Sequence, residues 1–182
     1  VALLRNDIMT GNAGVLFNTA HLDHLSEDVS LGDRYCRIVH IYCHAPDYQL
    51  VPDPEEGASC VDDVARAAVM LLRHFELTGD ASSRGKAEGH LRFLMHMQTR
   101  EGLFYNFVHD TSLRINTTHM RSRADALCWW TCRAVWALAT AVRVFQSEDR
   151  ALADACAARI ARTLPHVRSL LTRYPRTEVY LG

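Results

Sequence analysis

Apolar residues at Val61, Val64, Ala65, Ala68, Val69, Leu71, Leu72 and Phe75 recur at helical spacing. They predict a helix opening near Ser59. "LTGD" (Leu77 to Asp80) closes it, with Gly79 as the C-terminal glycine. A second helix is expected from about Ser83 to Gln98, with Leu91, Leu94 and Met95 inward. A third spans about Ala124 to Phe145, with Trp136 facing the core. After the turn "QSED", a fourth runs from about Arg150 to Leu164, where Pro165 stops it. The remaining "HVRSLLTRYPRTEVYLG" has room for one more short helix. Upstream the periodicity changes. "RYCRIVHIYCH" (Arg34 to His44) is rich in β-branched residues and tyrosine and reads as a strand. "SLGD" supplies a turn and "VLFNTAHLDHL" a candidate partner strand. "APDYQLVPDPEEG" holds three of the five prolines and reads as a loop.

"RAAVMLLRHFELTGD" and "RAVWALATAVRVFQSED" echo each other, each followed by a helix, with Arg133 67 positions after Arg66. Helix, short acidic turn and helix therefore occur twice, the signature of stacked helical hairpins. A ring of about six such hairpins needs on the order of 350 residues. The chain has 182, so part of a longer design is expected. The predicted organisation is a β and loop lead-in over 1–56 and a helical-hairpin domain over 57–182.

Composition narrows the function classes. Hydrophobic residues make up 48% and charged residues 23%, as in globular proteins. Twenty basic and 21 acidic residues leave a net charge of −1, which gives no electrostatic footprint for nucleic acid. No run reaches the about 18 apolar residues of a membrane span, and no signal peptide is visible. The six cysteines form no CxxC and read mostly as small buried hydrophobes. That leans towards a reducing, cytoplasmic setting, with export open if a leader has been removed.

The candidate chemistry lies in carboxylates. "GASCVDDVARA" puts Asp62 and Asp63 at a helix start. Ser59 with Asp62 fits an S-x-x-D capping box, which leaves Asp63 without a structural role and Arg66 one turn on. Asp125, in "RSRADALCWWTC", precedes Trp129 and Trp130 at the expected start of the third helix. An acid beside aromatic rings suits sugar chemistry, because apolar surroundings raise a carboxyl pKa towards general-acid values. Each acid could equally be a helix cap. Tyr105, Asn106, His109 and Asp110, in the aromatic connector "LFYNFVHD", either line a pocket mouth or plug the helix layer. The ten histidines include His40 and His44, roughly 13 Å apart along a strand, so no metal is expected. No phosphate loop, dinucleotide fingerprint or nucleophile elbow is present, and no cofactor is expected.

"GASCVDDVARAAVMLLRHFELTGD", "LRFLMHMQTREGLFYNFVHD" and "SRADALCWWTCRAVWAL" together resemble a bacterial family of six-hairpin, alpha/alpha-toroid proteins with "CVDDNARA"-like helix starts. The resemblance covers roughly residues 57–140. It departs at Val64, where the family has asparagine, and in "RADA", where the family pairs the acid with serine or histidine. It implies a mainly α fold, namely part of an alpha/alpha toroid of about two to three hairpins with a short N-terminal β segment. It also implies a glycosidase or a glycosyltransferase-associated domain. The expected reaction is glycoside hydrolysis by a carboxylate pair, one of Asp62 and Asp63 with Asp125. Arg66, Trp129, Trp130, Tyr105, Asn106, His109 and Asp110 would contact an oligosaccharide or polysaccharide. The alternatives are a non-catalytic carbohydrate-binding scaffold and an inactive fragment that self-associates through exposed helix faces.

Overall fold

The computed structural model describes residues 18–173. They form helix α1 (Ala20–Leu25), strands β1 (Ser26–Leu31), β2 (Arg34–Val39), β3 (Cys43–His44), β4 (Gln49–Leu50) and β5 (Ser59–Cys60), and helices α2 (Val61–Thr78) and α3 (Ala81–His96). Strand β6 (Phe107–Val108), a 3-10 turn (Met120–Ser122) and helices α4 (Trp129–Phe145) and α5 (Arg150–Leu171) follow. The fold is mainly α, built from two helical hairpins behind a short N-terminal β segment.

Each hairpin has a capped, tight turn. Gly79 ends α2 in the left-handed conformation at φ 73°, and its N–H donates to the Phe75 carbonyl at 2.7 Å. Asp80 then caps α3, accepting from the Ser83 N–H at 2.9 Å. Asp149 caps α5 in the same way, accepting from Leu152 N–H at 3.0 Å. Arg84 joins the two turns. Its guanidinium lies over the Phe75 and Phe145 rings and within 3.8 Å of Glu148 and 3.6 Å of Asp149. The hairpins therefore point the same way, with α2 and α4 packed in parallel.

The apolar face foreseen for α2 is the core. Val61, Val64, Ala65, Ala68, Leu71 and Leu72 are buried against Leu91, Phe93, Leu94, Ala134, Leu138 and Phe145. Truncating one of these leucines to alanine typically costs about 2–5 kcal/mol, through lost transfer energy and the cavity left behind. The β1–β2 hairpin covers α3. Gly89 makes this possible, since a Cβ there would lie 2.8 Å from the Arg37 Cβ. His90 Nδ1 donates to the Arg37 carbonyl at 2.9 Å.

Several expectations are corrected. The partner of β2 is β1, Ser26–Leu31, while Ala20–Leu25 is helical. Residues 15–17 of the proposed partner lie outside the described residues. The long strand is interrupted after Val39, and His40 bridges to Ser59 instead. The proline-rich loop contains β4, paired with β3. Helix α4 begins at Trp129, five residues later than expected. Helix α5 passes through Pro165 and ends at Leu171. Pro165 and Ala161, whose carbonyl loses its donor, both lie on the exposed side, where water satisfies the freed group. Trp136 is 42% exposed and holds the Arg73 guanidinium over its ring at 5.7 Å. The C-terminal segment is described only as far as Arg173.

Candidate functional site

The N-terminal ends of α2 and α4 lie at one rim of the hairpin pair. The chain enters α2 through β5, which pairs with β6 so that Ser59 faces Val108 and Cys60 faces Phe107. Gly57 is needed here. It sits at φ 109°, and a Cβ would come 2.2 Å from the Val108 carbonyl oxygen. Ser122 Oγ closes the rim from below by accepting from the N–H groups of Asn106 (3.1 Å) and Phe107 (2.9 Å).

The cap of α2 is displaced by one residue from the expected box. Cys60, not Ser59, is the N-cap. Its sulfur accepts from the Asp63 N–H at 3.4 Å, and the thiol donates to Asp63 Oδ2 at 3.3 Å. Burial and then the Asp63 charge push the Cys60 thiol well above the usual thiol range. It therefore stays protonated and able to donate. Ser59 Oγ accepts from the Val39 N–H at 3.3 Å and binds β2 to the rim. Asp63 thus has the role that the sequence suggested for Asp62.

Asp62 points to the neighbouring hairpin. Its Oδ1 lies 2.6 Å from Arg133 Nε on α4, a close ion pair without aligned hydrogen-bond geometry. Arg66 sits between the two acids, 3.6 Å from Asp62 and in direct contact with Asp63 Oδ1. Both carboxylates are partly shielded and ion-paired. Arg133 was visible in the sequence only as the repeat equivalent of Arg66.

Asp125 lies at the same rim, in the loop before α4 and not on the helix. Its side chain is 64% exposed, with Arg123 4.0 Å away. Trp129 is half-buried and meets Trp130 edge to face, 4.7 Å between ring centroids. Trp130 is fully buried, with its indole N–H donating to the Phe104 carbonyl at 2.7 Å. It belongs to the core and offers no face to a sugar.

The connector divides the same way. Phe104 and Phe107 plug the helix layer, and Asn106 is 2% exposed. Asn106 accepts the Val61 N–H through its carbonyl at 2.8 Å, while its side-chain Oδ1 is buried without a partner. Tyr105 and His109 are half-buried. Asp110 closes a local turn with Ser112 and Arg114, whose hydrogen bonds hold its carboxyl below the usual range.

One acid escaped sequence reading. Glu56 is 7% exposed, accepts from Tyr42 Oη at 2.9 Å and pairs with Arg121. That hydrogen bond is the main cause of a raised Tyr42 pKa. With both oxygens engaged, Glu56 acts as a latch between the proline-rich loop and the 3-10 turn. Asn116 Nδ2 adds a hydrogen bond to the Glu55 carbonyl at 2.7 Å. Nothing in a loop's residue pattern signals such a buried acid.

Comparison with family models finds no match, and comparison with curated proteins finds none. Among solved structures the chain is similar to a metagenome-derived glycoside hydrolase family 9 endoglucanase, at 16% identity and a TM-score of 0.46. The alignment covers 96% of this chain and 37% of that enzyme. The likeness is too distant to assign a fold or an activity.

Proposed function

We propose that the chain belongs to a carbohydrate-active enzyme that hydrolyses glycosidic bonds, and that it works at the rim formed by the N-terminal ends of α2 and α4. The observation that carries this reading is that Asp62, Asp63 and Asp125 lie at one end of two parallel hairpins, beside the half-buried Trp129. Glycoside hydrolysis needs two carboxyl groups across the scissile bond. In this reading Asp125, solvated and loosely held, supplies one and Asp63 the other. Asp62 holds Arg133, while Arg66, Tyr105 and His109 flank the sugar. Asp110 and Asn106 support the connector, and Trp129 packs against an apolar sugar face.

A second reading is a non-catalytic carbohydrate-binding domain, such as one attached to a glycosyltransferase. It is favoured by the engagement of Asp62 and Asp63, whose oxygens are occupied by Arg133, Arg66 and the Cys60 thiol. The two readings separate when a glycan panel is tested for both binding and hydrolysis. Hydrolysis lost in Asp125→Asn with binding retained supports the enzyme. Binding without any hydrolysis by the unmodified chain supports the binding domain.

A further inference from the structure

A pocket that shares no lining residue with the carboxylate rim lies between the turn end of the β1–β2 hairpin, the last turns of α3 and the middle of α5. It is lined by Leu31, Arg34, Arg92, Met95, His96 and Arg159. No lining residue carries a negative charge. Arg34 and Arg159 make no ion pair among the described residues, and Arg92 has only a distant one, 3.9 Å to Glu88. Three arginines from three elements therefore line one recess, with His96 beside them.

The recess is held in place by its backbone. Arg92 Nε donates to the Tyr35 carbonyl, which ties α3 to β2. Gln98 Nε2 donates to the Arg159 carbonyl at 2.9 Å and to the Gly102 carbonyl at 3.1 Å, which ties α5 to the end of α3. Gly102 lets the two segments approach, since a Cβ there would meet the Arg162 carbonyl oxygen at 2.2 Å. His96 Nε2 contacts the Leu113 carbonyl at 3.4 Å.

The C-terminal dipole of α3 accounts for part of this positive charge. It supplies only about half an elementary charge, against three arginines. Burial and the neighbouring Arg162 hold the Arg159 pKa below the ordinary arginine range, as expected for a cation lacking a counter-ion.

The geometry points to an anion site for a small phosphate monoester, with the phosphate held by Arg34, Arg92 and Arg159 and its organic group against Leu31 and Met95. Guanidinium forks match phosphate oxygens in bidentate fashion. Three positive charges suit a dianionic phosphate better than a single carboxylate. The apolar wall of Leu31 and Met95 favours a ligand whose organic group covers it. The site is independent of the carbohydrate reading of the rim.

Calorimetric titration with hexyl phosphate, inorganic phosphate and hexanoate tests this. Hexyl phosphate is expected to bind saturably, inorganic phosphate more weakly and hexanoate weakest. The double variant Arg34→Gln/Arg159→Gln is expected to weaken hexyl phosphate binding at least about tenfold. Neither side chain has a hydrogen-bond partner among the described residues, so the variant keeps its fold, which circular dichroism checks. Arg168→Gln, elsewhere on α5, leaves binding unchanged. Equal affinity in the double variant and in Arg168→Gln would overturn the site. So would hexanoate binding as tightly as hexyl phosphate, or no saturable binding by the unmodified chain.

Discussion

Arg133 Nε of α4 lies 2.6 Å from Asp62 Oδ1 in the first turn of α2. The other end of the same helix pair carries a matching bond, since Arg143 Nη2 donates to Glu76 Oε2 at 2.7 Å. The two parallel helices are thus pinned at both ends by arginines of α4 and acids of α2.

The Asp62–Arg133 pair predicts a measurable coupling. The side chains are 20% and 39% exposed, so solvent screens them in part. Asp62→Asn and Arg133→Gln should each lower unfolding free energy by about 0.5–1 kcal/mol. A double-mutant cycle should return a coupling of similar size. Additive single effects in urea unfolding would remove this pair as a link between the hairpins.

The cap of α2 predicts a residue-specific response at Cys60. Cys60→Ser keeps a side-chain acceptor for the Asp63 N–H and should hold stability near that of the unmodified chain. Cys60→Ala leaves the N–H uncapped and frees Asp63 Oδ2, at a cost of about 1 kcal/mol. Thermal midpoints of the two variants decide the matter, and an equal loss in both would speak against a capping role.

Buried His90 predicts acid sensitivity. Burial, and then the Arg37 charge, depress its pKa from 6.5 to about 4. Between these values the unfolded chain binds a proton that the folded chain excludes. Stability is therefore full above pH 6.5 and falls as pH drops towards 4, by roughly 3 kcal/mol. His90→Leu gives up the hydrogen bond to Arg37 but should lose less stability than the unmodified chain between pH 7.5 and pH 4.5. Identical losses on the two urea curves would contradict this assignment.

The rim also depends on Gly57. Gly57→Ala places a Cβ against the Val108 carbonyl in a conformation that disfavours side chains. A loss of about 2 kcal/mol or more is expected. A thermal midpoint within a degree of the unmodified chain would show that β5 and β6 can separate freely.

The sequence and structure agree where packing is periodic. The buried face of α2, from Val61 to Leu72, is readable because each turn repeats the same demand. The hairpin turns at Gly79–Asp80 and Asp149 are readable because glycine and aspartate have distinctive backbone chemistry. The cap of α2 lies one residue beyond the position that sequence predicts, because serine is a common cap and cysteine a rare one. That single position exchanges the roles of Asp62 and Asp63. Helix α4 starts late although "RADALC" has helix-forming residues, and neither Asp125 nor Cys128 makes a side-chain cap to its first turn. Trp130 and Trp136 carry the same chemistry in sequence, and only the facing of α4 against Phe104 and Arg73 assigns one to the core and the other to the surface. Arg133 on Asp62 and Arg121 on Glu56 are long-range pairs, which no local pattern encodes.

The central claim is that Asp63 and Asp125 form a working carboxylate pair at this rim. The direct measurement is sugar release from a glycan panel by the unmodified chain, Asp63→Asn and Asp125→Asn, with folding checked by thermal midpoint. The account predicts release of a glycan by the unmodified chain and a loss of at least about a hundredfold in each variant. Undiminished release by both folded variants, or none by the unmodified chain, would contradict it.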